Sequence, residues 1–128
     1  MILLRINNEE ARKKMELKYL EEKKAIIVKI NEELDHHTCS RLRNEIDSEI
    51  DFRVPEKLIF DFENVSFMDS SGIGIVIGRY KNMKSIGGEA IIANTRPTVK
   101  RIFEMSGMNK IVSFYDKVED AVKGGRLN

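Results

Sequence analysis

The strongest constraint on this chain is a rhythm. Short runs of β-branched apolar residues alternate with longer stretches of helical spacing. Residues 24–31 (KAIIVKIN), 57–62 (KLIFDF) and 89–94 (EAIIAN) are strand-length and rich in Ile, Val and Phe. Between the first two, Cys39, Leu42, Ile46 and Ile50 recur at helical intervals, so a helix is expected over 37–51, started by Asp35 or Thr38. Between the second and third, Ile73, Val76, Ile77, Tyr80 and Met83 mark another helix, which Ile86-Gly87-Gly88 should end. Pro97 suits the first turn of a third helix, with Val99, Ile102, Phe103 and Ser106 on one face and Gly107 as its stop. Residues 110–114 read as a short strand, and Asp116 as the cap of a last helix through Ala121 and Val122. At the front, Met15, Leu17 and Tyr19 alternate with charged residues, which makes 15–20 a half-buried strand in a hairpin with 24–31. The order is β-β-α-β-α-β-α-β-α. Strands separated by helices pair in parallel through right-handed crossovers. The expected fold is therefore α/β, a mixed sheet of four to five strands with about four helices packed on it.

The 128 residues suit one domain, large enough to bury a core without disulfides. A net charge of +1 gives no bulk attraction to nucleic acid or an anionic membrane. No apolar run approaches the roughly 20 residues of a membrane helix, and no signal peptide is recognised. A single cysteine, Cys39, points to a reducing cytoplasm. Residues 1–14 carry four basic and two acidic residues and differ in character from the rest. They are read as a tail or a misassigned start outside the core, with Met15 as a natural start and a short amphipathic helix as the alternative. Residues 124–128 are read as a frayed C-terminal tail.

Several strings invite a chemical reading. Gly72-x-Gly74-x-x-x-Gly78 at a helix start is near a dinucleotide fingerprint, but its spacing departs from G-x-G-x-x-G and no P-loop lysine follows. Gly74 and Gly78 are instead expected to let the helix lie close to the sheet. Nucleotide binding by this glycine-rich start remains the alternative. Ser70 and Ser71 lack the G-x-S-x-G elbow of a serine hydrolase. Asp35-His36-His37 is too small a donor set for a two-metal site, so no metal or other cofactor is expected. Cys39 lies on an apolar stripe and is expected to be buried. Arg79, Lys81, Lys84, Lys100 and Arg101 are expected to be solvated helix charges. In 67–74 (FMDSSGIG), Asp69 is a good helix cap, which puts Ser70 and Ser71 in a first turn rich in free N–H donors. A phosphate written there would be tolerated locally and would change the surface charge by about −1.5 to −2. Plain helix capping explains the same residues.

The strings ELDHHT (33–38), SFMDSSGIGIVIGRYK (66–81), IGGE (86–89) and PTVKRIFEMSG (97–107) resemble the anti-sigma factor antagonists with a STAS domain, nearest to the anti-sigma F factor antagonists of spore-forming bacteria. The likeness spans roughly 15–123. It implies a binding protein, not an enzyme, whose partners are an anti-sigma factor with serine kinase activity and a serine phosphatase, with no direct contact to nucleic acid or membrane. It implies Ser70 as the phosphorylated residue, in a sporulation circuit. It implies a partner surface of Asp35, His36, Asp69, Ser70, Ser71, Gly72, Ile73 and Gly74. A monomer is the expected state.

Overall fold

The computed structural model describes residues 14–124. The expectations for 1–13 and 125–128 lie outside the described residues. Strands β1 (Met15–Leu20) and β2 (Ala25–Ile30) form an antiparallel hairpin across the short 3-10 turn Glu21–Lys23. Then follow α1 (His36–Arg53), β3 (Lys57–Asp61), α2 (Ser70–Ser85), β4 (Glu89–Ala93), α3 (Pro97–Met105), β5 (Ser113–Tyr115) and α4 (Val118–Lys123). The sheet order is β1-β2-β3-β4-β5, and β2 through β5 are parallel. Each crossover steps one strand in the same direction. Right-handed connections therefore put α1, α2 and α3 on one face and leave the other to α4.

Strand periodicity sorts the core accordingly. Ile26, Val28, Leu58, Phe60 and Ile92 point to the three-helix side, while Ala25, Ile59, Ile91 and Ala93 meet Ala121 of α4 on the other. Being covered twice, the central strands read as near-continuous apolar runs, whereas edge strand β1 alternates. Phe62 stacks on both Phe60 and Phe103, at 5.9 and 5.4 Å between ring centroids. Lys57 holds α4 in place, its Nζ donating to the carbonyls of Ala121, Val122 and Gly124.

The end of α2 matches its sequence reading. Gly87 adopts φ 82°, and the Gly88 N–H reaches back to the Met83 carbonyl at 2.8 Å. Four details differ. The strand expected at 110–114 is shorter, because Met108–Lys110 forms a 3-10 turn and the chain stays coiled to Val112, whose N–H donates to the Met108 carbonyl at 2.9 Å, with both residues buried. Asp116 does not cap α4; Lys117 occupies that position without a side-chain bond. Gly74 and Gly78 have open space where a Cβ would stand, so they do not bring α2 close to the sheet. Arg79 is buried, only 6% exposed. It falls four residues after Ile75 and four before Met83, within the buried stripe of α2.

The guanidinium is kept in place by α1. Arg79 Nε lies 2.8 Å from Asp47 Oδ1, an ion-pair distance without an aligned hydrogen bond, and Nη1 donates to the Ile75 carbonyl at 3.3 Å. Asn82 Nδ2 donates to the same Asp47 oxygen at 3.0 Å, so one carboxylate clamps two residues of α2 to α1. Burial lowers the pKa of Arg79 while Asp47 supports its charge. The Asp47 side chain is 35% exposed, so without Arg79 its carboxylate is still served by water and Asn82, whereas without Asp47 a buried guanidinium is left unpaired. Asp47→Ala is expected to destabilise the fold by about 3 kcal/mol, and Arg79→Met to be close to neutral. Urea unfolding of both variants checks this, and equal losses would contradict it.

Candidate functional site

The site is built where β2 and β3 have ended but their chains still run side by side. Past Ile30 and Asp61 the two loops meet once more, in an isolated parallel bridge between Leu34 and Met68. The Asp69 N–H donates to the Leu34 carbonyl at 3.2 Å. Both bridge residues are 1% exposed, so the contact is anchored in the core. Two side-chain bonds staple the loops above it. Asn64 Nδ2 donates to Asn31 Oδ1 at 2.7 Å, and Ser66 Oγ to Glu33 Oε1 at 2.7 Å.

The residue after each bridge partner is an aspartate, and each aspartate caps a helix. Asp35 Oδ1 accepts from the Thr38 N–H at 2.9 Å, and Asp69 Oδ1 from the Ser71 N–H at 2.8 Å. Of the two caps considered for α1, the structure selects Asp35, whose backbone is extended as a cap residue requires. The Thr38 backbone and side chain, and to a lesser extent His37, hold the Asp35 carboxyl below the usual carboxylate range. The two helices thus begin side by side, with positive N-terminal ends that each leave first-turn N–H groups without partners inside the helix.

This geometry gathers the expected residues unequally. Asp35, His36, Asp69, Ser70 and Gly74 are exposed, and Ser71 is half-buried. Ile73 is half-buried against the core. Gly72 is buried and contributes shape: a Cβ there would stand 2.7 Å from Met68 Sδ, 3.1 Å from Met68 Cβ and 3.3 Å from Leu34 Cβ. Glycine is required because the first turn of α2 sits directly on the bridge. The three glycines therefore do not form one cradle, since Gly72 faces the core while Gly74 and Gly78 border open space. Cys39 lies beneath the two caps. Burial pushes its thiol up to about 11, with the Asp69 and Asp35 carboxylates adding to the rise, so it is neutral at ordinary pH. Among the described residues, no three His, Cys, Asp or Glu side chains gather as a metal-binding group. No described helix is long and apolar enough to cross a membrane.

Sequence reasoning missed the loop staples Asn31–Asn64 and Glu33–Ser66, and it missed Phe67, which stands 58% exposed beside the cap. None of these has a local pattern, because each depends on how two loops 33 residues apart are paired.

Comparison with known proteins places this arrangement. The sequence model of the STAS domain matches residues 16–121. The chain belongs to the STAS-domain family of anti-sigma factor antagonists. It is 40% identical over 97 residues to the anti-sigma F factor antagonist of Paenibacillus polymyxa, covering 76% of this chain and 83% of that one. It is similar in structure to the anti-sigma factor antagonist SpoIIAA in its unphosphorylated form, with TM-score 0.73 and 32% identity over 89% of this chain and 99% of that one. It is likewise similar to the phosphorylated form of SpoIIAA, a Bacillus cell fate determinant, with TM-score 0.68 and 30% identity over 85% of this chain and 96% of that one. The five-stranded sheet and four helices are those of the family.

The bridge makes Gly72 and Gly74 respond differently to a methyl group. Overpacking costs about 1–3 kcal/mol, whereas an alanine in open helix surface gains about 0.5–1 kcal/mol over glycine. Gly72→Ala is expected to be less stable than wild type and Gly74→Ala at least as stable as wild type, a ranking that chemical denaturation reads directly.

Proposed function

We propose that this protein is a phosphorylation-controlled anti-sigma factor antagonist. In the unphosphorylated form it binds an anti-sigma factor that is also a serine kinase and so frees the sigma factor. The kinase transfers the γ-phosphoryl group of ATP to Ser70 Oγ. The serine hydroxyl loses its proton, ADP leaves, and the phosphorylated antagonist is released until a serine phosphatase resets it. The protein acts as a cytoplasmic monomer, as a substrate rather than an enzyme, with residues 15–123 as the working domain and sporulation as the setting.

The observation that carries this reading is the position of Ser70. It is exposed, it is the first residue of α2, and it stands in the same loop pair as Asp35 and Asp69. A kinase can reach its hydroxyl without opening the core. A phosphate adds about −1.5 to −2 charges next to two carboxylates, at a helix end that tolerates anions. The result is a changed surface on an unchanged fold, as release of a partner requires. The existence of SpoIIAA in unphosphorylated and phosphorylated forms supports the reading, as does the anti-sigma F factor antagonist among the relatives.

The test is intact mass and fragment mapping after incubation with the anti-sigma kinase and ATP. One phosphate on Ser70 is expected, with none on Ser70→Ala, which should still bind the kinase, and much weaker binding by Ser70→Asp. Phosphate on Ser70→Ala would move the acceptor to Ser71, and no phosphate in a complex that demonstrably forms would sink the switch.

A further inference from the structure

Phe67 is not used by any of the chemistry above. Its ring is 58% exposed three residues before Ser70. Isolated apolar side chains at a surface are ordinary and need no function. Two features set this one apart.

The first is that its backbone is fixed on both sides. Val65 is fully buried and its N–H bonds to the Phe62 carbonyl at 3.0 Å. The Ser66 hydroxyl is held by Glu33 at 2.7 Å, and Met68 is locked into the bridge with Leu34. Val65 and Met68 are turned inward, which leaves Ser66 and Phe67 between them pointing out. The ring is presented by the fold, not exposed by a loose loop. An aromatic ring with only two side-chain torsions, on a fixed backbone, loses little freedom when a partner covers it.

The second is where it stands. Among the described residues the other exposed large apolar side chains are Leu17 on β1, and Phe52, Val54, Ile86, Met105 and Ile111. The last five lie at or beyond the C-terminal ends of α1, α2 and α3, the end of the molecule opposite the two caps. Phe67 alone is continuous with the Asp35–Asp69–Ser70 surface, where its neighbours Glu33, Asp35 and Asp69 are acidic.

We infer that Phe67 is the apolar anchor of the partner surface, seated in an apolar pocket of the anti-sigma factor when the antagonist binds. This rests on the functional reading above and names a residue which that reading does not include. Interfaces concentrate their affinity in a few central aromatic side chains ringed by polar contacts. A ring buried beside Ser70 also excludes water there, which makes an added phosphate more costly to the complex than it would be in solvent.

The experiment measures binding of the full chain to its purified anti-sigma factor with nucleotide present, for wild type and for Phe67→Ala, Phe67→Leu and Phe52→Ala, together with the steady-state kinetics of phosphorylation. Phe67→Ala is expected to weaken binding at least about tenfold, which corresponds to 1.4 kcal/mol. Phe67→Leu should be intermediate and Phe52→Ala unchanged. The KM for phosphorylation should rise while kcat holds, because the ring does not support the bridge that positions Ser70. Wild-type affinity in Phe67→Ala, with wild type itself binding, would overturn the anchor and leave the function standing. Failure of wild type to bind would overturn the functional reading, and the anchor with it.

Discussion

One backbone contact organises the working end of this protein. The Leu34–Met68 bridge continues the parallel pairing of β2 and β3 beyond the sheet proper. Without it, two loops would leave the strand ends independently and two helices would start wherever those loops led. With it, the helices start in register, because the residue following each bridge partner is an aspartate that caps its helix. Gly72 permits the contact by leaving room for Met68 and Leu34, and the Asn31–Asn64 and Glu33–Ser66 bonds close the loops over it. Lower down, the Asp47 carboxylate joins Arg79 and Asn82, so α1 and α2 are tied a second time along their length. The surface around the two caps is therefore tied to the core by backbone and side-chain bonds at several points.

That anchoring bears on how the proposed switch at Ser70 would work. A first-turn serine on a well-anchored helix can accept a phosphate without unfolding anything, since the helix end favours anions. What changes is electrostatic. Asp35 and Asp69 already make the surface acidic, and further negative charge matters most where a partner would exclude water. Under the proposed function, the energy of the switch would therefore lie in the interface and not in the stability of the domain.

Much of this was legible in the sequence. The strands 57–62 and 89–94 are apolar on both faces because helices cover both, and their spacing dictated crossovers and a parallel sheet. The helix stripe of Cys39, Leu42, Ile46 and Ile50 is buried as read. Asp69-Ser70-Ser71 announced a capped helix start, and the family strings pointed to the STAS domain. Arg79 was misread because residue type was weighed above position: it sits in the Ile75–Met83 stripe, and a charge there requires a partner, Asp47, that only the packing of α1 supplies. The glycine assignment failed for a related reason. Close approach depends on what stands opposite, and Met68 stands opposite Gly72, not Gly74 or Gly78. Phe67 was invisible because its exposure follows from the loop pairing on either side of it. Local periodicity reports which face of an element is buried; it does not report which loops meet.

The most direct test of a rigid surface switched by charge is amide hydrogen exchange on the protein before and after one phosphate is placed on Ser70. Altered exchange is expected only in residues 31–38 and 64–74, with the protection of β2, β3 and β4 unchanged. Lost protection across the sheet or along α1 and α2 would contradict it, and would mean that the phosphate acts by loosening the fold.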